Sequence, residues 1–156
     1  MKNFLFIFSF LSILGCQDDI QSNNPVLQGL RHGDYIWRSS TNIVTLQTTG
    51  ILNISGSDGY GTMVITLPSI NEGVYELGQG KPATITYQEI NTIYSTQNNG
   101  NDFPVYLGDG QVTIDFVNVQ NKTIQGSFYF NSYDSSGTSY MNFSEGIFFN
   151  LSYIDD

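Results

Sequence analysis

The chain has 156 residues and a formal charge of −9, with only five Lys and Arg, one histidine and one cysteine. So few basic groups on an acidic chain argue against nucleic acid as a partner, since phosphate binding needs clustered Lys and Arg. One thiol and one imidazole exclude an intrachain disulfide and a closed His/Cys zinc shell, and no cofactor motif is present.

Met1-Lys2-Asn3 is a short positive head, followed by a nearly unbroken apolar run from Phe4 to Leu14 that ends at Gly15-Cys16. A membrane-spanning helix needs about twenty apolar residues. This run is shorter and has the layout of a cleaved signal peptide, residues 1–15. Ile13-Leu14-Gly15-Cys16 resembles the bacterial lipobox. That resemblance implies a thioether lipid on Cys16, cleavage before it, and acylation of the new amino group, with palmitate as a natural label. Several acyl chains on one residue hold a protein firmly, because each buried CH₂ contributes ~0.8 kcal/mol. Gln17-Asp18-Asp19 resembles the surface-export signal of Bacteroidota lipoproteins, which implies outer-membrane attachment and display at the cell surface. Residues 16–25 are polar and lack an apolar period, as expected of a short disordered tether.

From Val26 to Asp156 the pattern is two-residue alternation broken by Gly, Asn and Asp, with no stretch of helical spacing. An all-β domain over residues 26–156 is expected, an antiparallel β-sandwich or flattened β-barrel. Strands are expected at 34–41, 42–47, 51–55, 62–67, 73–77, 83–89, 111–119, 123–133 and 146–153. Asp58-Gly59 suits a hairpin turn between the third and fourth, Pro68 ends a strand, and Gln120-Asn121-Lys122 makes a second tight turn. Residues 95–103 and 134–139 are polar, glycine-containing loops and the expected binding regions.

Parity sorts the faces of each strand. Val112, Ile114 and Phe116 fall together, as do Phe128 and Phe130, then Met63, Ile65 and Leu67, and then Ile147, Phe149 and Leu151. These are the expected core. Trp37 on an early strand is expected to plug that core with its N–H satisfied.

Seven segments stand in a recognisable order: Asp34-Tyr35-Ile36-Trp37-Arg38, Leu52 to Gly56, Met63 to Pro68, Gly73 to Gly78, Gly110 to Ile114, Ile124 to Phe130 and Glu145 to Phe148. Together they resemble an uncharacterised domain family of small Bacteroidota lipoproteins, over roughly Val26 to the C-terminus. The resemblance implies fold and location and carries no activity.

Catalytic signatures are weak. His32 sits in Arg31-His32-Gly33-Asp34, which reads as a turn, and no Gly-x-Ser-x-Gly elbow accompanies it. Glu72, Glu76, Glu89, Asp109, Asp115 and Glu145 could supply a glycosidase pair, Asp115 and Glu145 being the more interesting beside apolar strands. Their ordinary role is solubilising charge. Asn98, Asn99, Asn101 and Asp102, or Asp58 and Asp109, could offer oxygen ligands to calcium, but such residues usually serve turn geometry. The expectation is no metal and no catalytic residue. The ten tyrosines carry the remaining signal: Tyr94, Tyr106, Tyr133 and Tyr140, in or near loops, would be platforms for sugar rings.

The chain is therefore expected to be a lipid-anchored outer-membrane lipoprotein whose membrane contact is its N-terminal lipid. Its β domain is expected to act as a non-enzymatic module for a protein or glycan partner. Two alternatives remain, a lipocalin-like binder of small apolar ligands and a glycan-binding surface module.

Overall fold

The computed structural model describes residues 24–156. The expected signal peptide, Cys16 and the expected tether up to residue 23 lie outside the described residues. Twelve strands account for the fold, and no helix occurs among the described residues. They are β1 (Val26–Arg31), β2 (Tyr35–Arg38), β3 (Thr41–Leu46), β4 (Leu52–Ser57), β5 (Gly61–Leu67), β6 (Gly73–Gly78), β7 (Thr84–Glu89), β8 (Thr92–Ser95), β9 (Asp109–Asn118), β10 (Thr123–Tyr133), β11 (Tyr140–Ser152) and β12 (Ile154–Asp155).

All twelve belong to one hydrogen-bonded sheet that folds back on itself as a sandwich or flattened barrel. One leaf runs β12-β3-β4-β5-β7-β8, the other β6-β9-β10-β11-β1-β2. The sheet forks at β10: Thr123 to Asn131 pair with β9, while Tyr133 alone reaches Ser95 of β8. Every strand-to-strand ladder is antiparallel except β12 on β3, and a single parallel bridge joins Leu77 to Ala83. At the opposite corner Ser39 and Ser40 tie the leaves, with Ser39 N donating to Leu27 O (2.9 Å) and Ser40 N to Ser57 O (2.8 Å). Gly56 lets the leaves meet there, since a Cβ on it would lie 2.6 Å from the Leu27 side chain.

The interior is filled. Leu52, Ile54, Met63, Ile65, Leu67, Ile85 and Tyr87 of the first leaf face Leu27, Trp37, Val112, Ile114, Phe130, Phe143 and Phe148 of the second, all at most 1% exposed. Trp37 stands edge-on to Tyr87 (6.1 Å between centroids) and Phe143 (5.8 Å), so aromatic contacts span the two leaves. The plug is as expected, but the satisfied N–H is not. Trp37 Nε1 is buried without a hydrogen-bond partner, and the indole is packed edge-on against the apolar rings of Tyr87 and Phe143.

Parity held for Met63, Ile65, Leu67, Val112, Ile114, Phe128, Phe130 and Leu151, all buried. It failed for Phe116 (47% exposed), Ile147 and Phe149 (38% each). Bulges are the cause, because an extra residue reverses the alternation. In β11 the buried residues are Met141 and Phe143, then Gly146 and Phe148, then Leu151. The phase changes at Glu145 (φ 48°) and at Asn150 (φ 51°), where the pairing with β10 also slips. In β9 the slip falls at Asp115, since Ile114 pairs with Gly126 and Phe116 with Gln125. Phe116 is turned outward and Val117 packs against the core in its place.

Three strands lie outside those expected. β1 was not among the expected strands, yet it is paired on both sides, with β11 and β2. β8 follows β7 through a turn at Ile90 (φ 53°), and β12 is too short for any pattern. β1 also sets the long axis: Val26 pairs with Phe149 and Arg31 with Phe143, after which His32 N donates to Asn142 O (3.0 Å). The chain thus enters at one end of the barrel and arrives at the other beside Tyr140.

Candidate functional site

The loop joining β8 to β9 and the tight turn joining β10 to β11 meet at that far end. Tyr133 and Tyr140 are directly opposite one another across the β10–β11 ladder, flanking the turn Asp134 to Ser139. Asp134 organises the turn. Its Oδ1 accepts from Thr138 N (3.0 Å) and Ser139 N (3.1 Å), and its Oδ2 from Ser136 Oγ (2.7 Å). The Ser136 hydroxyl and then these amides hold the Asp134 carboxyl below the usual aspartate range.

The β8–β9 loop is stitched to this turn by amides. Asn101 N donates to Gly137 O (3.1 Å), Asn101 Nδ2 to Ser136 O (2.9 Å), and Asn98 Nδ2 to Tyr133 O (3.0 Å). Gly137 (φ 72°) is required here on two grounds: its backbone is left-handed, and a Cβ would sit 2.6 Å from Asn99 O. Asn99 Oδ1 accepts from Gly108 N (3.0 Å), and Gly100 N donates to Tyr106 O (2.8 Å), which closes the loop on itself. The loop tip Phe103 to Leu107 contains a cis Phe103-Pro104 bond and is openly apolar, with Phe103 99% exposed.

Between these segments lies a cleft of about 470 Å³, walled by Tyr106, Tyr133 and Tyr140 with Asp102, Asp109 and Asn131. Asp109 Oδ1 accepts from Asn131 Nδ2 (2.7 Å), and Asn131 Oδ1 accepts from Asn142 Nδ2 (2.7 Å), so a relay of amides orients that carboxylate. Asp102 has no side-chain partner among the described residues. Tyr133 is half-buried, and burial first, then the charges of Asp109 and Asp102 with neighbouring Tyr106 and Tyr140, raises its hydroxyl above the usual tyrosine range. Tyr140 also meets the edge of His32, with ring centroids 5.3 Å apart.

Of the four tyrosines chosen as platforms, three line this cleft. Tyr94 does not. It lies on β8 opposite Tyr87 and packs against the core, because the expected loop is strand up to Ser95. The other candidates are placed as follows. His32 has φ 54° and forms a turn with Gly33. Glu76 pairs with Lys81 (2.5 Å) and Glu89 with Arg31 (2.6 Å), while Glu72 Oε1 accepts from Val117 N (3.1 Å). Asp58 Oδ1 accepts from Tyr60 N and Gly61 N, which shapes the β4–β5 turn. The asparagines proposed as calcium ligands direct their amides into loop bonds, and no cluster of three or more His, Cys, Asp or Glu occurs among the described residues.

A second depression, of about 550 Å³, lies on the outer face of the second leaf, walled by Val26, Arg38, Asp115, Gln125, Ile147 and Phe149. Glu145 lines a smaller neighbour of about 210 Å³. Asp115 and Glu145 therefore occupy separate depressions with β10 between them. The larger groove is a trough over strands from which the bulges have turned Ile147 and Phe149 outward. The end cleft is smaller but gathers aromatic, carboxylate and amide groups from three separate segments.

Asn131 was not anticipated in the site, and Thr138 only as part of the expected loop 134–139. The signal for them was present, since a tyrosine on each side of a glycine-containing turn fixes a facing pair, and every second residue back along β10 then shares its face.

No curated protein and no solved structure matches the chain. The ordered motifs from Asp34 to Phe148 pointed to an uncharacterised domain family, and residues 23–152 match the one described as a domain of unknown function (DUF6252); the chain belongs to that family.

Proposed function

We propose that this is a lipid-anchored envelope protein whose end cleft binds carbohydrate without transforming it. The anchor is inferred from the short apolar run and Ile13-Leu14-Gly15-Cys16. An outer-membrane location is supported by that anchor, and display at the cell surface by Gln17-Asp18-Asp19.

One observation carries the binding reading: Tyr106, Tyr133 and Tyr140 come from the β8–β9 loop, the end of β10 and the start of β11, yet wall a single cleft with Asp102, Asp109 and Asn131. Aromatic faces stack on the C–H faces of sugar rings while carboxylates and amides hydrogen-bond the hydroxyls. A volume of about 470 Å³ suits one small ligand or the end of a larger one, within the ~300–1,000 Å³ of small-ligand sites. The filled interior favours a surface site over a lipocalin-like one.

The test is a glycan array probed with the full-length protein in detergent micelles. Retention of a saccharide class by the wild type, weakened about five- to tenfold by Tyr106→Ala or Tyr140→Ala, supports the reading. A wild type that retains no saccharide overturns it.

A further inference from the structure

The charge of the cleft narrows its ligand. We propose that it selects sugars bearing a free amino group, a deepening that rests on the carbohydrate reading above.

The walls hold two carboxylates, Asp102 and Asp109, and no Lys or Arg. The basic groups of the domain are committed elsewhere. Arg31 pairs with Glu89, Lys81 with Glu76 and Lys122 with Asp155, and Arg38 lines the groove on the outer face of the second leaf. His32 touches the Tyr140 ring from outside the cleft. A uronate or sulfated sugar would therefore meet like charge with nothing to neutralise it.

An ammonium group meets the opposite situation. Tyrosine faces attract cations through the ring quadrupole, and a carboxylate forms a charge-assisted bond with ammonium that is stronger than one with a neutral hydroxyl. The two carboxylates are prepared differently. Asp109 is held by the Asn142–Asn131 relay, whereas Asp102 lies in the loop with its side chain uncommitted. One is a fixed acceptor and the other can close on a bound ligand. Burial first, then Asp109, with smaller contributions from Tyr106, Tyr140 and Asp102, raises the pKa of the Tyr133 hydroxyl.

Isothermal titration of the full-length protein in detergent, in slightly acidic buffer, compares a short β-1,4-linked glucosamine oligomer with its N-acetylated counterpart. The glucosamine oligomer is expected to bind about tenfold tighter and to weaken with added salt. Asp102→Asn and Asp109→Asn should each weaken the glucosamine oligomer several-fold more than the N-acetylated one and so remove most of that advantage. Asp115→Asn, on the outer face, should alter neither. Equal binding of the two oligomers overturns the charge selection and leaves the carbohydrate reading standing. Binding of neither overturns this proposal, and the carbohydrate reading is then decided by the glycan array. Loss on Asp115→Asn equal to that on Asp102→Asn would mean attraction by bulk charge, and also overturns the proposal.

Discussion

Arg31 Nη1 lies 2.6 Å from Glu89 Oε1, joining the end of β1 on one leaf to the end of β7 on the other. The guanidinium also reaches Tyr87 Oη (3.4 Å) and stacks over the Tyr35 ring at 4.9 Å. Burial alone would lower the Arg31 pKa, but the bonds to Glu89 and Tyr87 outweigh it and the net direction is upward. With the side chains 24% and 29% exposed, water screens the pair only in part. A double-mutant cycle with Arg31→Met and Glu89→Gln should give a coupling of about 1 kcal/mol in urea unfolding. A coupling indistinguishable from zero would show that the leaves do not depend on this contact.

The bulges in β11 make a sharper prediction about the core. Phe148→Ala should cost about 3 to 5 kcal/mol, whereas Phe149→Ala, one residue away on the outer face, should stay below about 1 kcal/mol. Likewise a charge at Ile114 or Phe130 should unfold the domain while one at Thr113 or Ser127 is tolerated. Thermal melts of the paired variants decide it, and equal losses within a pair would place the bulge elsewhere.

This pair also shows what could be read in advance. Alternation sufficed wherever a strand was regular, as in Met63, Ile65 and Leu67. It misassigned Ile147, Phe149 and Phe116 because Glu145, Asn150 and Asp115 look like ordinary polar positions, and nothing local marks them as the extra residue of a bulge. The cleft was legible in its parts, three tyrosines and two loops, but not in its closure. The bonds from Asn98 and Asn101 to the β10–β11 turn each span 35 residues, and no sequence pattern reports a contact between two loops. Tyr94 was misplaced for a simpler reason: a four-residue strand beginning just after a turn is too short to show a period.

Gly137→Ala should separate the cleft from the barrel. A Cβ there collides with Asn99 O and Asn101 N and strains a left-handed residue, so the loop must move away from the turn. The strain costs on the order of 1 to 2 kcal/mol, a fall of a few degrees in Tm. Saccharide binding should be lost more completely than stability. Unimpaired binding by a folded variant would show that the two loops need not touch.

Asp134 predicts how the turn responds to acid. Its folded pKa is depressed, so its contribution is present above the unfolded aspartate value and is lost as the pH falls through the lower folded value. The amide resonances of Thr138 and Ser139 should hold their positions down to the ordinary aspartate range and shift only below it. A midpoint at or above the unperturbed value would mean that these bonds do not form in solution.

The anchor is tested at its one thiol. Cys16→Ser should abolish palmitate labelling and move the protein from the membrane to the soluble fraction. A wild type that takes up no label, with the variant still sedimenting with membranes, would remove the lipid from the account.

β1 connects these themes. It is flanked by strands on both sides, and because Val26 pairs with Phe149 while Arg31 pairs with Phe143 toward the start of β11, its first residue and the tyrosine cleft lie toward opposite ends of the sheet. A chain moored through Cys16 would then stand on the bilayer with its mouth turned outward. A pull on the mooring would have to shear two ladders at once instead of peeling an edge. On the proposed reading, this strand would hold the recognition end away from the membrane and steady under load.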